Sequence, residues 1–401
     1  MSAGQGDRPA LAGGTPVRSA FLPFFRPALG AEEERAVVEV LRSGWLTTGP
    51  RTLAFEGAFA RLAQVRHAVG VSSCTAGLHL LLRAFGVGPG DEVVTSPITF
   101  PATANAILAA GATPVFADVV PGWLTLDPTA VKTAITQRTR AIVAVHLAGW
   151  PCEMDALGAL AAAAGIPLIE DAAHALGASY RGRPAGALAD AASFSFYATK
   201  NLTTGEGGMV TTDRGEIVPR LRIERLHGID VDASQRSDRG YRHWEAVAMG
   251  FKYNLTDFEA ALGLVQLERL PALLAERRRL DARYRERLSR LAAFEPLGGP
   301  GAAQSAAHLF PILVQPGALH IDRDELLGAL LAENVGVGVH FRALPLHRFF
   351  QTSVPTPPEA VPVALSSSAR VLSIPLFPGM SDADQDDVVE ALARIAGYYA
   401  A

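Results

Sequence analysis

Residues 68–95, AVGVSSCTAGLHLLLRAFGVGPGDEVVT, contain one full unit of the architecture. Ala68 to Val71 is a short apolar run of strand type, and Thr75 to Phe85 carries the apolar spacing of a buried helix. Gly86-Val87-Gly88-Pro89-Gly90 is a turn, and Glu92 to Thr95 is the next strand. The unit repeats downstream. Helix Ala102 to Ala110 leads to strand Thr113 to Asp118, and helix Pro128 to Thr136 to strand Ala141 to His146. Helix Met154 to Ala164 precedes strand Pro167 to Glu170, and strand-like runs Ala192 to Tyr197 and Gly208 to Thr212 follow. Strands separated by such helices predict βαβ units, and hence an α/β fold with a mainly parallel sheet between helices.

Outward from this region, Glu32 to Ser43 and Phe55 to Leu62 read as helices on either side of the turn-rich Gly44 to Pro50. Residues 1–19 are rich in Gly, Ala and Pro, lack the apolar run of a secretory signal, and are expected as a flexible tail. Toward the other end, a charged helix is predicted from Pro271 to about Leu291, its Glu276-Arg277-Arg278-Arg279 run forming a solvated face. Strands at His308 to Val314 and Gly336 to Phe341, with helices at Arg323 to Glu333 and Ser381 to Ile395, suggest a smaller α+β domain. The expected division is a tail at 1–19, a large domain at 20–265 and a small domain at 266–401, as the length of 401 residues suits.

Composition narrows the function. Hydrophobic residues make up 49% and charged residues 19%, enough for a large core. Thirty-six basic residues against 40 acidic ones leave a net charge of −4, so no basic excess exists to neutralise a nucleic acid. No apolar run is long enough to span a membrane, and a cytoplasmic protein is expected. Cys74 and Cys152 form no CxxC pair, and no histidines stand at metal-ligand spacing. His67 and His243 read as surface or packing residues. Walker A, GxGxxG, GxSxG and HExxH motifs are all missing.

One bias is informative. The sequence has only three lysines, Lys132, Lys200 and Lys252, against 33 arginines. Where lysine survives such a bias, chemistry closed to arginine is favoured, because lysine can lose its proton and attack a carbonyl.

Ligands of parallel sheets bind beyond the carboxyl ends of the strands. Ser72-Ser73-Cys74-Thr75-Ala76-Gly77 stands there as an anion cradle at a helix start, a pattern that ordinary N-capping also produces. Asp171 ends one strand, with His174 three residues on. Lys200 follows another, ahead of a Gly-rich stretch where the backbone can crowd against a neighbour. A phosphate cradle, an acid for a pyridine nitrogen and a lysine for a covalent imine match pyridoxal phosphate. Phe100 offers an aromatic face for its ring.

Ser193-Phe-Ser-Phe-Tyr-Ala-Thr-Lys200-Asn-Leu-Thr-Thr-Gly-Glu-Gly-Gly208 resembles the lysine motif of the DegT-type, pyridoxal-phosphate-dependent nucleotide-sugar aminotransferases. So do Glu170-Asp-Ala-Ala-His-Ala-Leu-Gly177, Ser43-Gly-Trp-Leu-Thr-Thr-Gly-Pro50 and Gly250-Phe-Lys-Tyr-Asn-Leu-Thr-Asp257. Val339-His-Phe-Arg-Ala343 and Ser373-Ile-Pro-Leu-Phe-Pro378 are most similar to the branch that makes UDP-4-amino-4-deoxy-L-arabinose. The resemblance implies the fold-type I aminotransferase architecture, with Lys200 as covalent anchor and proton carrier. It implies Asp171 on the pyridine nitrogen and His174 beside the phenolic oxygen. Thr75, the backbone of Ala76, and Ser195 would hold the phosphate, and Phe100 would stack on the ring where the nearest relatives have Trp. Asn254 would reach the phosphate of a neighbouring subunit, making a homodimer with shared sites. Trp45, Thr47 and His340 would border the sugar.

The implied reaction is transfer of the amino group of L-glutamate to a nucleotide-linked 4-keto sugar, a UDP-4-keto-pentose in the nearest branch, with no metal. A different keto sugar, 3-keto or 4-keto-6-deoxyhexose, is the alternative within the class. A same-fold dehydratase would lose Lys200, and a non-catalytic cofactor-binding regulator is the reading from another class. Ala306-Ala307-His308 lacks the Trp usual before that histidine.

Overall fold

A computed structural model describes residues 8–230 and 243–401. The large sheet has seven strands in the order β1-β9-β8-β5-β4-β2-β3. These are β1 (His67–Val71), β2 (Glu92–Thr95), β3 (Thr113–Phe116), β4 (Thr139–Val145), β5 (Leu168–Asp171), β8 (Ala191–Ser195) and β9 (Gly208–Thr212). Between β5 and β8 the short strands β6 (Ser179–Tyr180) and β7 (Arg183–Pro184) pair with β11 (Ala303–Gln304). A third, antiparallel sheet contains β10 (Phe294–Pro296), β12 (Phe310–Val314) and β13 (Val371–Ile374).

In the large sheet β2, β3, β4, β5 and β8 run parallel, while β9 is antiparallel to both β8 and β1. Six strands therefore point one way, and their carboxyl ends share one edge. That edge collects Ser72 to Thr75 after β1, His146 after β4, Asp171 at the end of β5 and Ser195 at the end of β8. Helices Cys74–Ala84 and Pro101–Ala109 bury Leu78, Leu81, Ala106 and Ile107 on one face with Val69, Val93 and Val143. Phe55, Phe59, Phe194, Phe196 and Leu255 fill the other face. Both faces being covered accounts for the near-continuous apolar strands.

Several expectations change. The long helix spans Asp257–Leu288 and so starts fourteen residues before Pro271, because Thr256 and Glu259 form a capping box there. Pro271 lies in its interior. The helix passes through the expected junction at 265/266 without a break. Arg277, expected in a solvated run, is fully buried. It shares the apolar stripe of Leu270, Leu273, Leu274, Leu280, Tyr284 and Leu288, and its Nη1 donates to the carbonyls of Ala307, His308 and Leu376 at 3.4, 3.2 and 3.2 Å.

Gly336 to Phe341 is not a strand. It meets β13 through a single bridge, Gly338 with Ser373, on the edge of β13 away from β12. Residues 8–19 are not free: Glu333 accepts from the amides of Ala10 and Val17, and Arg18 pairs with Asp384 and Asp387. No helix among the described residues is long and apolar enough to cross a membrane.

Candidate active site

The strand ends open into a cavity of about 670 Å³. Ser73, Thr75, Phe100, Asp171, His174, Ser195, Lys200 and His340 all line it, although they come from segments as far apart as residues 73 and 340. The cradle begins where β1 ends. Ser73 caps helix Cys74–Ala84, its Oγ accepting from the Ala76 amide at 3.1 Å, and Thr75 stands exposed in the first turn. Ala76 is therefore engaged with Ser73 and does not line the cavity. The Gly-rich stretch crowds against this same cradle. A Cβ on Gly208 would lie 2.5 Å from the Ser73 carbonyl carbon and 2.7 Å from the Cys74 nitrogen, and Gly207 holds φ at +143°.

Asp171 is buried and its two oxygens are differently held. Oδ2 accepts from Thr103 Oγ1 at 2.7 Å, and Oδ1 accepts from the Ala173 amide at 3.2 Å with Cys74 Sγ 3.7 Å away. Burial and the Asp171 charge keep the Cys74 thiol protonated, well above its usual range.

Lys200 follows β8 in a turn closed by its own amide on the Tyr197 carbonyl. Its Nζ makes no hydrogen bond or ion pair among the described residues. Burial lowers its pKa to about 8, against partial restoration by the Asp171 charge. A desolvated amine with no partner among the described residues and a pKa near 8 is suited to attack a carbonyl.

Four histidines line the cavity; His146 is hydrogen-bonded to Glu170 and raised to about 10, while His174, His308 and His340 are lowered. Burial foremost, then the nearby Lys200 charge for His174 and the His174 ring for His308, push both well below the ordinary histidine range. Burial and Lys200 lower His340 to about 4. The three lowered histidines are neutral at pH 7. The Ala148 amide donates to His174 Nδ1 at 3.3 Å, which leaves the proton on Nε2. Asn201 spends its amide nitrogen on the carbonyls of Leu176 and Ala306, so its Oδ1 accepts from His308 Nδ1 at 3.0 Å. His308 was missed as a wall residue, as were Phe24, Phe25, Glu206 and Phe341. Phe24 stacks on His340 at 5.3 Å between ring centres, and His340 Nδ1 lies 3.0 Å from Ser373 Oγ. Phe100 is 61% exposed at the mouth, its ring 6.1 Å from that of Phe341.

Three expected site residues lie elsewhere. Trp45 donates its indole N–H to the Thr48 carbonyl, Thr47 accepts the amide of Asp257 through its own carbonyl, and Asn254 donates to Thr48 Oγ1 at 2.8 Å. Lys252 Nζ bonds the Asn254 carbonyl oxygen. None of the three lines the cavity of its own chain.

A model of the DegT/DnrJ/EryC1/StrS aminotransferase family matches residues 27–393. The chain belongs to this family. It is 43% identical over 380 residues to the spore coat polysaccharide biosynthesis protein SpsC of Bacillus subtilis (strain 168), covering 94% of this chain and 98% of that one. Among solved structures, DesV of S. venezuelae is 35% identical with a TM-score of 0.86, covering 94% of this chain and 99% of that one. Spr1654 of Streptococcus pneumoniae, solved in its PMP form, is 32% identical with a TM-score of 0.88 over the same shares. The fold is that of the pyridoxal-phosphate-dependent aminotransferases, and the protein is a pyridoxal-phosphate-dependent sugar aminotransferase. The finer likeness to the arabinose branch is not what SpsC shares by name, so the family stands without the sugar.

The residues present fit that cofactor. The cavity holds a hydroxyl-lined helix start for a phosphate, an unpartnered amine, and a buried carboxylate already supplied with donors on both oxygens.

Proposed function

We propose that the protein transfers the amino group of L-glutamate to the 4-keto carbon of a nucleotide-linked sugar, working as a homodimer. The observation that carries this reading is the placement of Lys200 and Asp171 on neighbouring strand ends of one cavity, beside the Ser73–Thr75 cradle. Bound pyridoxal phosphate supplies a carbonyl that takes up the amino group and a pyridinium ring that draws electrons from the carbon losing its proton.

The chain's own groups do the rest. Lys200 Nζ, titrating near 8, anchors the cofactor and then carries a proton to and from the substrate carbon. Asp171 keeps the ring nitrogen protonated. His174 offers its Nε2 proton as a donor, and remains neutral while doing so. Thr75, Ser73 and Ser195 hydroxyls bind the phosphate at a helix start, where the dipole favours an anion. Phe100 covers one face of the ring.

Trp45, Thr47 and Asn254 serve the neighbouring protomer's site in this reading, which explains why a single chain keeps them outside its own cavity. Lys252 holds Asn254 Oδ1, so the amide nitrogen is the donor end: one of its hydrogens goes to Thr48 Oγ1, and the second is the one this reading gives to the phosphate. The wall opposite the sheet is apolar, with Phe24, Phe341, Ile374 and Leu376 around His340. That wall suits a pentose or the methyl of a 6-deoxyhexose better than a free hydroxymethyl group. The UDP-4-keto-pentose is one candidate. The 4-keto-6-deoxyhexose is the second, favoured by the same apolar lining.

Incubating the holoenzyme with L-glutamate and a panel of nucleotide-linked keto sugars, with mass detection of amino sugar and 2-oxoglutarate, tests this. Amination of a 4-keto pentose or 6-deoxyhexose supports the reading. Amination confined to 3-keto sugars, or no 2-oxoglutarate with any sugar, rejects it. Light scattering of the purified protein decides the dimer, and a fully active monomer would overturn site sharing.

A further inference from the structure

The carboxylate of Asp171 stands at the end of a hydroxyl relay that the assigned roles do not use. Thr103 Oγ1 lies 2.7 Å from Asp171 Oδ2 and 2.8 Å from Thr99 Oγ1. An ionised carboxylate only accepts, so the single hydroxyl proton of Thr103 goes to Asp171. The bond between the two threonines must then be donated by Thr99. Chemistry thus fixes the direction of the chain: Thr99 to Thr103 to Asp171. All three side chains are buried, at 2%, 1% and 5% exposure, so water does not compete for these bonds.

The relay also spans an element boundary. Thr99 precedes Phe100, which caps helix Pro101–Ala109, and Thr103 sits in that helix's first turn. The Thr103 amide returns to the Phe100 carbonyl at 3.3 Å. One pair of hydroxyls therefore ties the loop that carries the aromatic ring to the acid across the cavity. Cys74 Sγ is a weaker neighbour, since it lies closer to the Ser193 carbonyl, at 3.3 Å, than to Asp171.

We propose that Thr103 is a positioning residue of the transamination, aiming the Asp171 carboxylate at the ring nitrogen, and that Thr99 aims Thr103. This rests on the reading of Asp171 given above. Donors on both oxygens hold the carboxylate against turning away from the cavity. Without Thr103 the carboxylate keeps the Ala173 amide as its only firm donor. Other titratable groups lining the same cavity are Cys74 on the helix after β1, His146 after β4, His174, Tyr197, Lys200 and Glu206 after β8, and His308 and His340 on the opposite wall.

Valine has the β-branched shape of threonine and nearly its size, so Thr103→Val removes the proton donor with little change of form. The apoenzymes of wild type, Thr103→Val, Thr103→Ser and Thr99→Val are each loaded with pyridoxal phosphate carrying ¹⁵N in the ring. The nitrogen shift, followed from about pH 6 to about pH 10, reports its protonation. The expected result is that Thr103→Val loses the ring proton about one pH unit or more below wild type. Thr103→Ser should follow wild type, and Thr99→Val should fall between.

In turnover, Thr103→Val should lower kcat and leave KM for the keto sugar unchanged. Equal titration of Thr103→Val and wild type overturns the proposal, as does Thr103→Ser behaving like Thr103→Val. Should Thr103→Val not hold the cofactor, Thr99→Val decides, and titration with wild type then rejects the relay. Asp171→Asn, measured alongside, separates the failures: a ring nitrogen as protonated there as in wild type rejects the role of Asp171 itself.

Discussion

The two walls of the cavity are built by different means. The sheet wall consists of strand ends and the helix starts that follow them, with Ser73, Asp171 and Lys200 set by β1, β5 and β8. Its polar atoms are mostly spoken for, and Gly208 lets two backbones touch. The opposite wall is mostly irregular chain, residues 24–25, 308–309 and 338–341, joined by Ile374 at the end of β13 and by Leu376, with Gly338 making one bridge to β13. Its side chains are aromatic or aliphatic, and His340 is its main polar member on the loop. The difference teaches a division of labour. In the proposed reading, chemistry common to the family sits where geometry is over-determined, and selection among sugars where a loop can change without unpicking a sheet.

The largest effects should come from the sheet wall. Lys200→Ala is expected to reduce transamination about 10⁴-fold or more while circular dichroism stays unchanged. Borohydride reduction followed by peptide mapping should place the cofactor on Lys200 in wild type. Multiple turnover by the variant, or label on another residue, breaks the comparison at its root. Asp171→Asn should keep the cofactor and slow the proton transfer about 10²- to 10³-fold, read by single-turnover kinetics. Wild-type rates in this variant would move the chemistry away from the β5 end.

The pH dependence of the same wall follows from burial. Lys200 titrates near 8 rather than at the usual 10.5, and the neutral amine is the nucleophile. Capture of pyridoxal phosphate by the apoprotein should therefore quicken about tenfold per pH unit up to roughly pH 8 and then level off. A rise continuing to 10.5 would mean that the amine is solvated. Linkage gives a second check. Between about 8 and 10.5 the unfolded chain retains a proton that the folded one has released, so this group makes the apoprotein more stable as pH rises through that window.

Much of the sheet wall was legible in sequence because its signals are local. Small residues after an apolar run mark Ser72 to Gly77, and a lysine where arginine is the rule marks Lys200. The other wall was not legible, because what places Phe24, His308 and Phe341 together is packing between segments hundreds of residues apart. Gly336 to Phe341 has the composition of a strand yet makes only one bridge, Gly338 with Ser373, on the open edge of β13. Arg277 shows a signal that was present and outweighed. Its neighbours in sequence are charged, but its neighbours at helical spacing, Leu270, Leu273, Leu274, Leu280 and Tyr284, are apolar. Thr103 carries half a signal: the spacing to Thr99 predicts a turn-to-turn bond, whereas Asp171 lies 68 residues away.

Two glycines, one in each wall, give the smallest and most direct comparison. An alanine Cβ at 208 would meet main-chain atoms of Ser73 and Cys74, which cannot move without shifting the cradle and the start of its helix. At 338 the nearest atom to a new Cβ is His340 Cε1, at 2.8 Å, and that is the far end of a side chain that can rotate. Gly208→Ala should thus cost about 1–3 kcal/mol of stability and weaken cofactor binding, seen as a lowered Tm and faster loss on dialysis. Gly338→Ala should cost under about 1 kcal/mol and leave cofactor binding alone, while raising KM for the keto sugar several-fold as His340 turns. If the two variants lose stability equally, the loop wall is as rigid as the sheet wall. Sugar selection would then have to be sought in residues from outside the chain's own cavity, beginning with Trp45 and Thr47.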